Sequence, residues 1–287
     1  MLKKSIKNEL ILLGTKGGPA IRPNGSMPSS SLLILDKKKI LVDAGLGVSK
    51  SLTEINFNLN ELSNIFITHL HSDHYLELGP LIHTAWTAGL KKKIKVFGPK
   101  ALLDYWKKFL SSMQFDIKNR EKNEGRIKLK KIVKIIPIKK KTFNLGKIKV
   151  KILKVPHPPL KDCYSYKFIG SKEIVFSGDT KYFKPLASFS NETDILVHEA
   201  LIPEYIDKIV TKTGLNSKLK NHLKNSHTTI DEVLKIAKLS KCKKLVINHL
   251  IPNDNTLNQR KEWLKKVKNK IDTEIIVGKD KLRVEFN

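Results

Sequence analysis

Three histidines and an aspartate fall within residues 69–74 of this 287-residue chain, whose sequence there is His-Leu-His-Ser-Asp-His. The segment follows the apolar run Ile65–Ile67, which predicts a short buried strand. In an extended segment His69 and His71 point to the same side, and Ser72 can cap a helix that begins with the next two residues. Several side chains with metal-binding atoms therefore leave one corner between a strand and a helix. This pattern favours a metal site over a histidine-rich surface loop.

Three further candidate ligands stand where other predicted strands end. His157 begins a rigid proline turn after Val155, Asp179 ends the run Ser-Gly-Asp after an apolar strand, and His249 follows the apolar run 245–248. Each alone is a weak signal, because a lone polar side chain at a strand end is more often a hydrogen-bonded structural residue. Together with the first cluster they supply five histidines and two aspartates, enough for two metal ions that share a carboxylate.

Short apolar runs recur along the chain between glycine and proline turns, in the order strands, helices, strands, helices. With no low-complexity linker, this order predicts an α/β protein in which two sheets pack together with helices outside. We expect one domain over residues 1–287. The pair Thr229 and Glu232 predicts a capping box at a helix start, the polar stretch 119–125 predicts an exposed loop, and residues 273–286 predict a closing hairpin.

The net charge of +28 comes from a surplus of lysine, since only five of the 55 basic residues are arginine. Phosphate and base recognition favours the bidentate guanidinium of arginine, so we interpret the lysines mainly as a solvated surface, with RNA binding as an alternative. Two cysteines predict reduced thiols rather than a disulfide framework. No apolar run reaches the length of a membrane span and the basic start lacks a cleavage site. We therefore expect a cytoplasmic protein with no signal peptide and no membrane contact.

These motifs resemble the metallo-β-lactamase superfamily. The similarity covers nearly the whole chain, from Leu-Gly-Thr at 13–15, through Leu-Val-Asp-Ala-Gly at 41–45, to Asn-His at 248–249. The resemblance implies a four-layer αβ/βα sandwich with a binuclear metal site at one edge of its sheets. It implies His69, His71 and His157 on one metal ion, Asp73, His74 and His249 on the other, and Asp179 as the bridge. Asp43 is expected either to orient a ligand histidine or to cap a turn.

Departures from other branches of the superfamily narrow the chemistry. Oxygen-reducing diiron members carry a glutamate at the position of His71, so the resemblance implies two zinc ions and hydrolysis, with manganese and iron as alternative metals. Many β-lactamases carry a cysteine at the position of Asp179, which disfavours antibiotic hydrolysis. The pair Glu199 and His227, in His-Glu-Ala and Ser-His-Thr-Thr, is similar to the branch that contains ribonuclease Z and the zinc-dependent arylsulfatases.

The residues and the resemblance together predict a binuclear zinc-dependent hydrolase that cleaves a phosphodiester or a sulfate ester. Two zinc ions would lower the pKa of water enough to supply hydroxide at neutral pH, and Asp73 or Asp179 would orient that hydroxide. His227 would protonate the leaving group while Glu199 accepts its other ring proton. The expected substrate is a small anionic ester, RNA is an alternative partner, and the resemblance implies a homodimer.

A ribonuclease Z-type endonuclease that processes tRNA 3′ ends is the main alternative function. Bacterial ribonuclease Z carries a long tRNA-gripping arm between its third histidine motif and its bridging aspartate. Here Asp179 follows His157 by 22 positions, which leaves room for two strands and no arm. A thioester or lactone hydrolase and a non-catalytic nucleic-acid-binding protein are further alternatives, although the full ligand set disfavours the last of these.

The remaining histidines and the large aromatic residues favour structural interpretations. His83 lies in a predicted helix, and His198 is expected to be buried in its strand. His222 is expected to be exposed, because lysines surround it in the sequence. Trp86 and Trp106 stand at helical spacing, which predicts core packing rather than a substrate cleft.

Overall fold

The structure is a computed structural model that describes residues 8–253 and 257–286. Two seven-stranded sheets form its centre. The first contains β1 (Glu9–Gly14), β2 (Ser30–Leu35), β3 (Lys38–Val42), β4 (Asn64–Phe66), β5 (Ile94–Gly98), β6 (Val133–Pro137) and β14 (Arg283–Glu285), in the order β14-β1-β2-β3-β4-β5-β6. The second contains β7 (Thr142–Leu145), β8 (Ile148–Lys154), β9 (Tyr164–Ile169), β10 (Glu173–Phe176), β11 (Ile195–Leu201), β12 (Lys244–Ile251) and β13 (Glu274–Val277), in the order β13-β12-β11-β10-β9-β8-β7.

Helices connect the strands on the outer faces of both sheets. The described residues form α1 (Val48–Glu54), α2 (Ser72–Tyr75), α3 (Leu78–Thr87), α4 (Leu102–Ser112), α5 (Gln114–Asn123), α6 (Leu129–Ile132), α7 (Pro185–Phe189), α8 (Ile206–Thr213), α9 (Ser217–Ser226), α10 (Ile230–Ser240) and α11 (Leu257–Val267). The predicted capping box at the start of α10 is confirmed. The helices α8 and α9 were not predicted from the sequence.

Apolar side chains form three core layers, which place the helices outside the paired sheets. In β1, Leu10 and Leu12 enter the cluster between the sheets, while Ile11 and Leu13 enter the cluster under the helices of the first sheet. This alternation follows from the two-residue period of a strand that is buried on both faces. A third cluster, which includes Trp263, packs α7, α10 and α11 against the second sheet. The predicted four-layer αβ/βα sandwich is confirmed.

The predicted closing hairpin at residues 273–286 is wrong. β13 pairs in parallel with β12 in the second sheet, whereas β14 pairs antiparallel with β1 in the first. The Asp280 carboxylate anchors the connection by accepting hydrogen bonds from the amides of Thr15 at 3.0 Å and Met27 at 2.7 Å. An outer strand of each sheet thereby gains a partner, and Val284 is buried between the sheets.

The prediction of an exposed loop at 119–125 is wrong for most of its length, because residues 119–123 form the second half of α5. Asp116 pairs with Arg120, and Arg120 pairs with Glu124, at 2.9 Å each. Ion pairs four residues apart stabilise an exposed helix that has few apolar contacts. The polar composition that indicated a loop therefore supports a solvated helix.

The connection between β9 and β10 is short. The Gly170 amide donates a backbone hydrogen bond to the Lys172 carbonyl at 3.0 Å, which closes an antiparallel hairpin. The prediction of two strands and no arm between His157 and Asp179 is confirmed. Within the described ranges, no helix has the length and apolar character needed to cross a membrane.

Candidate metal centre

The predicted ligands converge at one edge of the two sheets. Residues 69–74 connect β4 to α2 on the first sheet, while His157 follows β8, Asp179 follows β10 and His249 lies in β12 of the second sheet. Strand ends that are far apart in the sequence thus bring seven metal-binding side chains together, and all of them except His71 are buried.

The short helix α2 sets the direction of two of these side chains. It begins at Ser72 and places Asp73 and His74 in its first turn, as predicted. The N-cap residue is His71 rather than Ser72, and no side chain caps the helix. The backbone holds the turn instead, since the Ala44 amide donates a hydrogen bond to the His74 carbonyl at 2.7 Å.

The first ligand group consists of His69, His71, His157 and Asp179, whose candidate donor atoms all lie within 4.8 Å of one another. His71 Nδ1 lies 3.1 Å from His69 Nε2 and 2.9 Å from His157 Nε2. A tetrahedral ion with metal–nitrogen bonds near 2.0 Å spaces its ligand atoms about 3.3 Å apart. The spacing of the three ring nitrogens therefore fits a shared divalent cation.

The second ligand group consists of Asp73, His74 and His249. The Asp73 Oδ2 atom lies 3.2 Å from His249 Nε2 and 3.6 Å from His74 Nε2. It also accepts a hydrogen bond from the Gly18 amide at 2.8 Å, which fixes the carboxylate against the loop after β1. This group offers one carboxylate oxygen and two imidazole nitrogens to a second cation.

Asp179 lies between the two ligand groups. Its Oδ2 atom is 3.1 Å from His249 Nε2 and 3.4 Å from His74 Nε2 on one side. On the other side it is 3.7 Å from His69 Nε2 and 3.8 Å from His157 Nε2. The other oxygen, Oδ1, is buried without a hydrogen-bond partner among the described residues. An unpaired buried carboxylate oxygen is costly, and a cation would satisfy it.

Groups behind the candidate ligands hold the rings in place. The Asp43 carboxylate accepts a hydrogen bond from His74 Nδ1 at 2.8 Å and another from the Thr68 amide at 2.8 Å. Asp43 thus orients a candidate ligand and also ties the end of β4, so both sequence-based interpretations apply to it. The Ser226 carbonyl accepts from His157 Nδ1 at 2.7 Å. Both contacts leave Nε2 of the ring free for a metal ion.

The charges of the cluster also fit bound cations. Burial lowers the pKa of His157 to about 4 and holds the pKa of His69 well below its usual range, so both rings are neutral and offer lone pairs. Burial also lowers the pKa of His74, but the surrounding carboxylates, Asp179 foremost, outweigh it and raise that pKa well above its usual range. The carboxylates thus favour positive charge at this place, which divalent cations supply.

Glu199 and His227 form a buried pair beside the ligand groups. His227 Nδ1 donates to the two carboxylate oxygens of Glu199, at 3.1 Å and 3.0 Å. Glu199 also accepts from the Thr180 amide at 2.9 Å, which fixes its position. Burial lowers the pKa of His227, but the Glu199 carboxylate outweighs that effect and raises it to about 9. The pair can therefore hold a proton on an imidazole next to Asp179, whose Oδ2 lies 4.0 Å from His227 Nδ1.

A pocket of about 620 Å³ opens over the ligand groups. The loop after β1 forms one wall, and the hairpin of α8 and α9 forms a roof. Basic and apolar side chains both reach it: Lys16, Arg22, Lys208 and Lys212, with Tyr205, Ile209, Leu215, Leu219 and Leu223. A pocket of this size and lining suits a small anionic molecule with an apolar part.

Lys16 places a cation at the wall of this pocket. Its Nζ atom donates to the Gly17 and Gly18 carbonyls, at 2.9 Å each. Burial lowers the pKa of Lys16 to about 8; Asp73 opposes this effect and Arg22 adds to it. Lys16 was not predicted as a site residue from the sequence. A basic residue inside the glycine-rich turn at 14–18 is the signal that could have found it.

His222 is half-buried next to the ligand groups, so the prediction that it is exposed among lysines is wrong. Its ring centroid lies 5.8 Å from that of His71 and 6.0 Å from that of His227. α9 exposes Lys218 and Lys224 to solvent and packs Leu219 and Leu223 towards the body of the protein. The spacing of these residues with His222 has a helical period, which is the signal that could have found the buried face.

Comparisons with known proteins agree with this geometry. Residues 8–270 match the family model described as Anti-Pycsar protein Apyc1. A curated ribonuclease Z from Pyrococcus horikoshii is 30% identical over 282 residues, which cover 85% of this chain and 86% of that protein. The metallo-beta-lactamase fold protein YhfI from Bacillus subtilis superposes with a TM-score of 0.73 at 22% identity, covering 98% of this chain and 100% of that one. The short form of human tRNase Z superposes with a TM-score of 0.67 at 19% identity, covering 96% and 98%.

Proposed function

Since this chain belongs to the family of the anti-Pycsar protein Apyc1 and to the ribonuclease Z branch of the metallo-β-lactamase superfamily, we propose that it hydrolyses a phosphodiester bond in a small anionic substrate. The chain is a metallo-hydrolase of the metallo-β-lactamase fold. The observation that carries the finer proposal is the position of Asp179, one oxygen of which faces four imidazole rings of both ligand groups. A phosphodiester would lie above this carboxylate, in the pocket.

The roof of the pocket favours a small substrate over a folded RNA. α8 and α9 cover a volume of about 620 Å³, which lies within the range of small-molecule sites. The β9–β10 hairpin carries no arm that could grip tRNA at a distance from the site. A folded RNA would have to displace the roof, whereas a small diester fits beneath it.

We propose two zinc ions as the cofactors, with manganese or iron as alternatives that elemental analysis would distinguish. One ion would be held by His69, His71 and His157, the other by Asp73, His74 and His249, and Asp179 would be shared. When bound, two such cations lower the pKa of water enough to supply hydroxide at neutral pH, and they attract the phosphoryl oxygens.

The chain's own residues would position the substrate and move the protons. The Asp73 carboxylate, held by the Gly18 amide at 2.8 Å, would orient the attacking nucleophile. His227 would donate the proton that the leaving oxygen needs, while Glu199 keeps the other ring nitrogen of His227 occupied. The Lys16 ammonium would donate to a phosphoryl oxygen from the opposite wall.

Cleavage of tRNA precursors at the 3′ end is the second candidate function. The relative named ribonuclease Z favours it, because its similarity extends over 85% of this chain. In that case the lysine-rich surface, with a net charge of +28, would replace the missing arm in binding RNA. Sulfate esters are a further substrate class for the same site, because sulfur and phosphorus esters pass through similar anionic geometries.

The test is a paired assay on protein of known metal content. One arm offers bis(4-nitrophenyl) phosphate and 4-nitrophenyl sulfate, and the other offers a precursor tRNA with a 3′ trailer. We expect metal-dependent hydrolysis of the phosphate diester, with Asp179→Ala reducing kcat/KM on the order of a thousandfold. Cleavage at the trailer without small-diester turnover would overturn the small-substrate proposal in favour of tRNA processing. Hydrolysis of the sulfate alone would overturn the choice of phosphorus.

We also propose a cytoplasmic homodimer, which rests on the resemblance to the superfamily. Light scattering on the gel-filtered protein tests the dimer, and a mass of one chain would contradict it. Cell fractionation tests the location. Neither result changes the chemistry of the site, because every residue assigned to it belongs to one chain.

A further inference from the structure

His222 is an imidazole at the pocket that the proposed mechanism does not use. It lies on α9 in the roof, and its ring centroid is 5.8 Å from that of His71, 6.1 Å from that of His157 and 6.0 Å from that of His227. Among the described residues, it belongs to none of the candidate ligand groups, whose donor atoms lie within 4.8 Å of one another. His222 also lines the pocket itself, so a substrate group bound in the pocket can reach its ring.

Ser226 fixes which ring nitrogen of His222 carries the proton. The Ser226 hydroxyl donates its single hydrogen to the Pro158 carbonyl at 2.6 Å. Its oxygen therefore acts as the acceptor for His222 Nδ1 at 3.2 Å, and we assign the proton of the neutral ring to Nδ1. Nε2 of His222 is then left with a lone pair. The carbonyl of the same serine fixes His157 in the same way, at 2.7 Å.

The Nε2 atom of His222 is a hydrogen-bond acceptor, whereas the charged side chains that line the pocket outside the ligand groups are hydrogen-bond donors. Lys16, Arg22, Lys208 and Lys212 line the pocket and suit phosphoryl oxygens. A lone pair on His222 does not suit a phosphoryl oxygen, because two acceptors repel each other. It suits a hydroxyl group that lies close to the phosphate in the substrate, such as one on the carbon next to the ester carbon.

We propose that His222 accepts a hydrogen bond from a substrate hydroxyl that neighbours the scissile ester, as the 2′-hydroxyl of a ribose 3′-ester does. His222 thereby selects ribose-containing phosphodiesters over their 2′-deoxy counterparts. This inference rests on the proposed phosphodiesterase function and names the residue that recognises one substrate feature. It predicts discrimination in binding, which can be measured whether or not a given diester is hydrolysed.

The test compares the binding of two ligands that differ in one hydroxyl, uridine 3′-phosphate and 2′-deoxyuridine 3′-phosphate, by calorimetry on the metal-loaded protein. We expect the deoxy ligand to bind about three- to tenfold more weakly, the range for one neutral hydrogen bond. His222→Asn keeps a donor towards Ser226 but removes the Nε2 acceptor, so the ratio of the two Kd values should fall to about one. His222→Gln, whose amide oxygen reaches the Nε2 position, should restore part of the ratio.

Two more variants separate this role from a structural one. Ser226→Ala keeps the carbonyl that holds His157 but releases the His222 tautomer, so it should lower the Kd ratio without loss of metal. His83→Asn changes a histidine that pairs with Asp116 away from the pocket, and it should keep the wild-type ratio. Equal Kd values in the wild type, or a preference that persists in His222→Asn, would overturn the proposal. Loss of a metal equivalent in His222→Asn would overturn it too, because His222 would then be a ligand.

The result is independent of the test of the proposed function. If bis(4-nitrophenyl) phosphate is not hydrolysed but the Kd ratio depends on His222, the hydroxyl contact stands and the assigned reaction fails. If the diester is hydrolysed but the ratio of the two Kd values is one in the wild type and in every variant, the proposed reaction stands and the proposed role of His222 fails.

Discussion

Lys16 shows how a single side chain can make substrate binding depend on pH. The pKa of its ammonium is lowered to about 8, mainly by burial, so the side chain is charged below that pH and neutral above it. We expect KM for an anionic diester to rise as the pH increases through about 8, because a charge-assisted hydrogen bond to the phosphoryl group is lost. Lys16→Arg should remove this rise, since arginine stays charged throughout the range.

The measurement is a pH profile of KM between pH 6 and 10 for the wild type, Lys16→Arg and Lys16→Met. The methionine variant should show a KM raised by about tenfold at pH 7 and no further rise. Identical profiles for all three proteins would show that Lys16 does not contact the substrate. Lys279, on the loop that carries Asp280, provides a matched lysine-to-methionine control.

Glu199 and His227 should lose activity together when either is changed. The Glu199 carboxylate holds the Nδ1 proton of His227 at 3.0 Å and favours the protonated ring, so a neutral glutamine should weaken proton donation nearly as much as removal of the imidazole. We expect both Glu199→Gln and His227→Ala to lower kcat on an alkyl or ribose diester by a factor on the order of a hundred or more. Turnover at the wild-type rate in Glu199→Gln, beside an inactive His227→Ala, would refute this coupling.

The leaving group gives an internal control for the same pair. Nitrophenolate departs with little protonation, so His227→Ala should reduce aryl diester hydrolysis much less than alkyl diester hydrolysis. Stopped assays on the two substrates, at matched metal content, measure the two losses. Equal losses would assign His227 to metal or substrate binding rather than to proton donation.

Among the elements, we expect the α8–α9 hairpin to be the part of the site that unfolds locally most readily. Within the described residues, its buried apolar side chains pack in a small cluster that includes Leu201, Ile206, Leu223 and Ile251. We expect Leu223→Ala to open the roof locally, which raises KM several-fold and speeds proteolysis at the exposed turn near Leu215. Limited proteolysis followed by mass spectrometry locates the cut.

A leucine-to-alanine change at an exposed position provides the control for the roof prediction. Leu239 on α10 is exposed and lies outside the small cluster, so Leu239→Ala should leave both KM and the proteolysis pattern unchanged. A Leu223→Ala protein that resists protease as well as the wild type, with an unchanged KM, would mean that the roof is rigid.

Some of these elements could be predicted from the sequence, whereas others could not. The strands and the ligand corner follow from local periods and spacings, which need no knowledge of distant residues: β1 and the segment at 69–74 are examples. α8 and α9 were missed because their few apolar residues are spread among lysines and gain partners only in the folded chain. His222 was misplaced for the same reason, since its neighbours His71 and His157 are distant in sequence. The partners of β13 and β14 could not be predicted locally, because each strand pairs with the edge strand of a different sheet.

For the whole molecule, metal ions should act as links between the two sheets. The ligands at 69–74 belong to the first sheet, whereas His157, Asp179 and His249 belong to the second. A ligand that binds only the folded state, at a thousand times its Kd, adds about 4 kcal/mol to the free energy of unfolding. We expect chelation to lower Tm by roughly 10 °C, because 1 kcal/mol shifts Tm by about 2 to 4 °C in a domain of this size class.

Thermal unfolding with and without chelator measures this contribution. Asp179→Ala should lose most of the difference between the metal-loaded and metal-free Tm, while His83→Asn should keep it. A chelator-independent Tm in a protein that had been shown to contain two metal equivalents would contradict the role of the ions as links.

The spread of the ligands along the chain has a consequence for synthesis of the protein. His69 is made early and His249 late, and the second ligand group needs both α2 and β12. A ribosome-bound or truncated chain that ends before β12 therefore cannot assemble that group. We expect a chain that lacks β12 to be inactive, because one of its two ligand groups is then incomplete.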